Sequence, residues 1–129
     1  MSPKHILLVD DEDDIREVAA LSLEAVGGWR TSSACDGASG VVMARAERPD
    51  AILLDVMMPG LDGPATVARL REDPLTRDIP VILLTAKAQT SDHRRFAGLG
   101  VAGTLTKPFD PMTLTDQIAA ILDRDRSTP

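Results

Sequence analysis

The stretch Ala51-Ile52-Leu53-Leu54-Asp55, running straight into Val56-Met57-Met58-Pro59-Gly60-Leu61-Asp62-Gly63-Pro64, decides how the rest of the chain is read. A short apolar run without polar alternation predicts a strand covered on both faces. It ends on a carboxylate where the turn residues Pro59, Gly60 and Gly63 begin. Asp55 is therefore expected at a rim. Taken alone, such an aspartate starts a turn or caps the next helix. Its company is what gives it weight.

Three further strands stop on polar groups. His5-Ile6-Leu7-Leu8-Val9 runs into Asp10-Asp11, Val81-Ile82-Leu83-Leu84 into Thr85, and Gly103-Thr104-Leu105-Thr106 into Lys107-Pro108. If the strands are parallel, all four polar ends fall on one edge of the sheet, the edge where open α/β sheets bind ligands.

Composition sets the bounds. A chain of 129 residues makes one domain with a single core that needs no disulfide or metal to hold it. Cys35 is the only cysteine, so no internal disulfide can form, which fits a cytoplasmic setting. The opening Met-Ser-Pro-Lys-His lacks the pattern of an export signal, and no apolar run is long enough to span a bilayer. Membrane insertion is not expected. A formal charge of −6 argues against direct nucleic-acid binding and favours cations or basic protein surfaces.

Between the strands the apolar spacing changes to that of helices. Glu12 to Val26 places Ile15, Val18, Ala19, Ser22, Leu23 and Val26 on one stripe, with Asp10 to Asp13 supplying caps and first-turn negative charge. Gly27-Gly28 closes this helix. Trp29 to Ala34 reads as a polar edge strand, and Gly37 to Arg48 as a small-residue helix stopped by Pro49. Pro64 to Glu72 is a short helix opened by proline. Gln89 to Leu99 is a fourth, thinly apolar helix that should be the least anchored. Pro111 to Asp123 is the last, with residues 1–124 forming the domain and 125–129 a disordered tail.

Five strands alternating with five helices predict an α/β fold, a doubly wound five-stranded parallel sheet. Asp55 to Thr85 spans 30 residues and Thr85 to Lys107 spans 22, each about one strand-helix unit, whereas Asp10 to Asp55 spans 45. For the polar ends to share chemistry, the second strand must lie outside the first, giving order 2-1-3-4-5. The crevice between strands one and three then holds the aspartates.

Asp10, Asp11 and Asp55 would crowd three negative charges, and two unit charges about 5 Å apart at an effective dielectric near 20 repel by roughly 3 kcal/mol. A cation is needed. Carboxylates at an open rim suit Mg²⁺, which keeps waters and leaves coordination for phosphate oxygens. Three aspartates, one divalent metal and Lys107 sum to zero formal charge, so a phosphoryl donor could enter. Phosphoryl transfer asks mainly for positioning and charge neutralisation: Asp55 offers a nucleophilic carboxylate, Lys107 and the metal can hold equatorial oxygens, and the Thr85 hydroxyl can donate to a third. Each of these residues has an ordinary reading alone, as a cap, a strand end or a solvated lysine.

Asp10-Asp11, Leu54 to Gly63, Leu84-Thr85-Ala86-Lys87 and Leu105-Thr106-Lys107-Pro108-Phe109 together resemble the motifs of bacterial two-component response-regulator receiver domains, of the chemotaxis-regulator type. The resemblance covers nearly the whole chain in order. It implies that Asp55 accepts a phosphoryl group from a sensor histidine kinase or phosphotransfer protein, with Mg²⁺ surrounded by Asp10, Asp11, Asp55 and the Met57 carbonyl. It further implies that Thr85 and Lys107 take the switch-hydroxyl and phosphate-pairing roles, and that Lys107-Pro108 is cis. Such a domain catalyses only its own Mg²⁺-dependent phosphorylation and dephosphorylation, and switches a downstream protein target through the face made by the fourth helix, fifth strand and fifth helix. Met57 and Lys87 would flank the path of attacking water.

One position departs: where receivers usually carry tyrosine or phenylalanine three residues before the lysine, this chain has Thr104. Readout is then expected mainly through displacement of the Gln89 to Leu99 helix. The chain stops soon after the fifth helix, so the expectation is a stand-alone receiver or a portion of something longer. Rival readings are a flavodoxin-like nucleotide binder, a haloacid-dehalogenase-type phosphatase and a receiver that docks without phosphorylation. The Asp-Asp-Glu-Asp-Asp loop opposes the first, since it repels phosphate without a metal. The second would place its nucleophile in an Asp-x-Asp pair after the first strand. His5 and His93 lack metal-ligand company and read as packing or surface residues.

Overall fold

A computed structural model describes residues 4–86 and 98–127. Five strands form one parallel sheet: β1 (His5–Val9), β2 (Arg30–Ala34), β3 (Ala51–Asp55), β4 (Val81–Thr85) and β5 (Gly103–Thr106). Their order is β2-β1-β3-β4-β5, as expected from the spacing. The helices described are α1 (Asp13–Ala25), α2 (Gly37–Glu47), α3 (Gly63–Glu72) and α4 (Leu114–Ser127). The additional helix expected over Gln89 to Leu99 lies outside the described residues except at Gly98 and Leu99, which form part of a turn.

Alternation along buried strands builds two cores. Leu7, Val9, Ile52, Leu54 and Leu83 face α2 and α3, where they meet Ala44, Val67 and Leu70. Ile6, Leu8, Leu53, Ile82 and Leu84 face the other way, onto Ala19 and Leu23 of α1 and Leu114, Ile118, Ile121 and Leu122 of α4. Every residue of β3 and β4 is buried. Each such Leu or Ile contributes roughly 1.5–3 kcal/mol relative to exposure, which makes these two adjacent inner strands the firm base of the rim. β2, with the pattern Arg-Thr-Ser-Ser-Ala, takes the edge. Among the described residues no helix is long and apolar enough to cross a membrane.

Several local expectations are corrected. No side chain caps α1: its N-cap is Glu12, whose backbone N–H instead donates to Asp10 Oδ1 at 2.9 Å. Val18 and Val26 are 41% and 48% exposed rather than part of the buried stripe. Val18 lies about 100° around the helix from Ala19, and Val26 lies past the last turn. There Gly28 takes φ +68 and its N–H donates to Glu24 O at 3.1 Å, the left-handed closure of a helix end, while the Trp29 N–H reaches Leu23 O at 3.0 Å. α4 begins at Leu114, not Pro111, because the Asp110 carboxylate accepts from the Met112 N–H at 2.9 Å and holds residues 110–113 as a turn. It also continues past Asp123 to Ser127. α3 is capped as its sequence suggests: Asp62 Oδ1 accepts from the Ala65 N–H at 2.9 Å, with Pro64 in the first turn.

Candidate functional site

Register brings the polar ends level. Val9 pairs with Leu54, Asp55 with Leu84, and Thr85 with Thr106. Asp10, Asp55, Thr85 and Lys107 therefore emerge at or just beyond the same edge. The Lys107 N–H donates to Thr85 O at 2.6 Å, which fixes the lysine at the exit of β5, and Lys107-Pro108 is cis.

From that exit the lysine side chain reaches back over the rim. Its Nζ lies 3.1 Å from Asp10 Oδ2, 3.3 Å from Asp55 Oδ1 and 3.8 Å from Glu12 Oε2. Asp10 and Asp55 are only 3% and 4% exposed, so these are nearly desolvated charges. Asp11 is exposed, yet Asp10, Asp11 and Asp55 can each offer an oxygen lying within 4.8 Å of the others. The Met57 N–H approaches Asp55 Oδ1 at 3.4 Å, while the Met57 side chain is exposed. Thr85, buried, ends the strand beside Asp55.

Electrostatics follow from this crowding. Burial first, then the charge of Asp10, pushes the Asp55 carboxyl up to about 6, against the smaller opposing pull of Lys107 and the Met57 N–H. Burial works to lower the Lys107 ammonium, but Asp10 and then Asp55 more than reverse this, so its pKa is raised and it stays charged.

The site fits a hard divalent cation. Asp10 Oδ1 is occupied by the Glu12 N–H, whereas buried Oδ2 has no aligned hydrogen-bond donor among the described residues and meets Lys107 only as an ion pair. An under-satisfied buried carboxylate oxygen beside two further carboxylates is the donor set Mg²⁺ takes.

Two neighbours were not singled out from sequence. Glu12 extends the lysine's carboxylate partners, and Arg16 donates through Nη1 to the Asp10 carbonyl at 2.6 Å and through Nη2 to the Asp13 carboxylate. The spacing of Asp13 and Arg16, one helical turn apart, was the available signal for the second contact. Elsewhere, His5 Nε2 pairs with Ser32 Oγ at 2.7 Å, and Cys35 is an exposed free thiol. Lys87 and His93 lie outside the described residues.

Comparison with known proteins identifies the family and the fold. Residues 6–119 match the model of the response regulator receiver domain. The chain is 42% identical over 120 residues to the transcriptional regulatory protein CseB of Streptomyces coelicolor, covering 93% of this chain and 50% of that protein. It is 41% identical over 124 residues to the phosphate regulon transcriptional regulatory protein PhoB of Pseudomonas aeruginosa, covering 96% and 54%. The chain thus spans about half the length of these relatives. Among solved structures, the chemotaxis protein CheY4 of Vibrio cholerae superposes with a TM-score of 0.86 at 28% identity, covering 93% of this chain and 99% of that one. The chain belongs to the response regulator receiver domain family.

Proposed function

We propose that this receiver domain carries a signal as an aspartyl phosphate on Asp55, formed with Mg²⁺ from a phosphohistidine of a sensor kinase or phosphotransfer protein. The observation that supports it most directly is one ammonium, Lys107 Nζ, held at 3.1 and 3.3 Å between two buried carboxylates from different strands. An arrangement that costly to desolvate is not what a merely structural rim requires.

Asp10, Asp11, Asp55 and the Met57 carbonyl would hold the metal. When bound, it supplies positive charge against the carboxylates and the phosphoryl oxygens. An Asp55 oxygen attacks phosphorus, and the histidine nitrogen leaves with the electron pair of the broken P–N bond. Lys107 is positioned to exchange a carboxylate contact for a phosphoryl oxygen, and the Thr85 hydroxyl to donate to another. The domain turns over nothing beyond its own phosphorylation and dephosphorylation. Loss of the Lys107–Asp55 contact would be felt at β5 and the Gln89 to Leu99 segment, altering the surface that a downstream protein reads.

Mass spectrometry after incubation with acetyl phosphate and Mg²⁺ tests the assignment. Wild type should gain one phosphate and Asp55→Asn none. Equal gain by both proteins would overturn it.

A further inference from the structure

We propose that Arg16 is a positioning residue for the metal site: its guanidinium locks the turn between β1 and α1 so that Asp10 and Asp11 stay within reach of one divalent cation. This rests on the reading of the site as an Mg²⁺-dependent phosphoryl acceptor.

Arg16 sits early in α1 with its side chain only 18% exposed. Nη1 donates to the Asp10 carbonyl at 2.6 Å, and Nη2 donates to the Asp13 carboxylate. One planar group therefore ties the residue that follows β1 to the first residue of α1, across the span that carries Asp11 and Glu12. The Arg16 N–H closes the same turn onto Glu12 O at 3.2 Å. On its other side, the Asp10 N–H donates to Ala34 O at 3.2 Å. The two peptide units flanking Asp10 are thereby anchored, one from β2 and the other from α1.

A tether is needed because the site opposes its own assembly. Oxygens of Asp10, Asp11 and Asp55 lie within 4.8 Å, where like charges push apart. Lys107 counters this with contacts to Asp10, Asp55 and Glu12. The position of Asp11 depends instead on the backbone of the turn, and Arg16 holds that backbone without touching any of the three metal-facing carboxylates. Lysine could not replace it fully, since an ammonium on one flexible stem lacks the fork that serves a carbonyl and a carboxylate in fixed geometry.

Isothermal titration with Mg²⁺, paired with thermal denaturation in metal-free buffer, provides the test on wild type, Arg16→Met, Arg16→Lys and Arg69→Met. Groups that orient metal ligands cost roughly 10- to 100-fold in affinity when lost, so Arg16→Met should bind Mg²⁺ about tenfold more weakly. Arg16→Lys should be intermediate. Arg69→Met, which removes the same charge from the exposed side of α3, should match wild type. Wild-type affinity in Arg16→Met, or an equal loss in Arg69→Met, overturns the inference. If Arg16→Met does not fold, Arg16→Lys decides alone, and wild-type affinity there overturns it. Failure of wild type itself to bind Mg²⁺ would overturn the underlying reading as well, which distinguishes the two failures.

Discussion

Gly63 donates its backbone N–H to the Val56 carbonyl at 2.9 Å and lies so close that a Cβ would sit 2.8 Å from Val56 Cα and 3.1 Å from the Asp55 carbonyl oxygen. The loop leaving Asp55 is thus closed against the start of α3 by backbone alone. Gly63→Ala has no flexible side chain to displace and must move the chain segment that carries the acceptor. It should lose about 1–3 kcal/mol in chemical denaturation and slow phosphorylation by acetyl phosphate. Unchanged stability and rate would show that the loop has more slack than this contact indicates.

Asp55 makes stability depend on pH. Its folded value of about 6 lies above the ordinary 3.8, so between these values the folded state binds more protons than the unfolded state. Stability in metal-free buffer therefore falls as pH rises through that window, and the cost is constant above it. Asp55→Asn removes the cost and should be more stable than wild type by about 1–3 kcal/mol at pH 7.5, with the difference vanishing near pH 4. Added Mg²⁺ should narrow the gap at pH 7.5 by stabilising wild type selectively. Denaturation midpoints across pH 4–8, with and without Mg²⁺, check this.

Lys107→Met leaves two buried carboxylates facing one another without their shared cation. Removing one partner of a buried ionic cluster costs about 3 kcal/mol. Here a large part should be recovered in millimolar Mg²⁺, because the metal supplies charge to the same oxygens. Phosphorylation of Asp55 should slow, since a phosphoryl oxygen loses its fixed partner. A loss of stability indifferent to Mg²⁺ would separate the lysine from the metal site.

Thr104, partly buried and paired with Leu83 across β4 and β5, occupies the place where an aromatic readout was absent from the sequence. Hydrogen exchange on the free protein and on its beryllofluoride–Mg²⁺ complex should therefore change across residues 87–99. Unchanged protection there would remove this segment from the signal path.

The order of the strands and the edge at which Asp10, Asp55, Thr85 and Lys107 gather were legible in the chain, because short apolar runs read as covered parallel strands and the spacing of their polar ends, taken to share one site, puts the second strand outside the first. The buried stripe of α1 was legible only in part. Helical periodicity marks a face, but how wide a band is covered depends on the packing of neighbours, and so Val18 and Val26 stand exposed. The start of α4 was missed because Asp110 turns its carboxylate onto the Met112 N–H, a local bond that competes with the helix and leaves no mark on hydrophobic spacing.

Residue types and their order along the chain set the class of fold and the chemistry of the rim, since both follow from patterns with a period of a few residues. Which oxygen of Asp10 faces the lysine, how Glu12 joins it and how Arg16 grips the turn depend on contacts between segments brought together by folding. Reach and direction of side chains at angstrom scale carry no signature in spacing, and they fix the charge balance at Asp55.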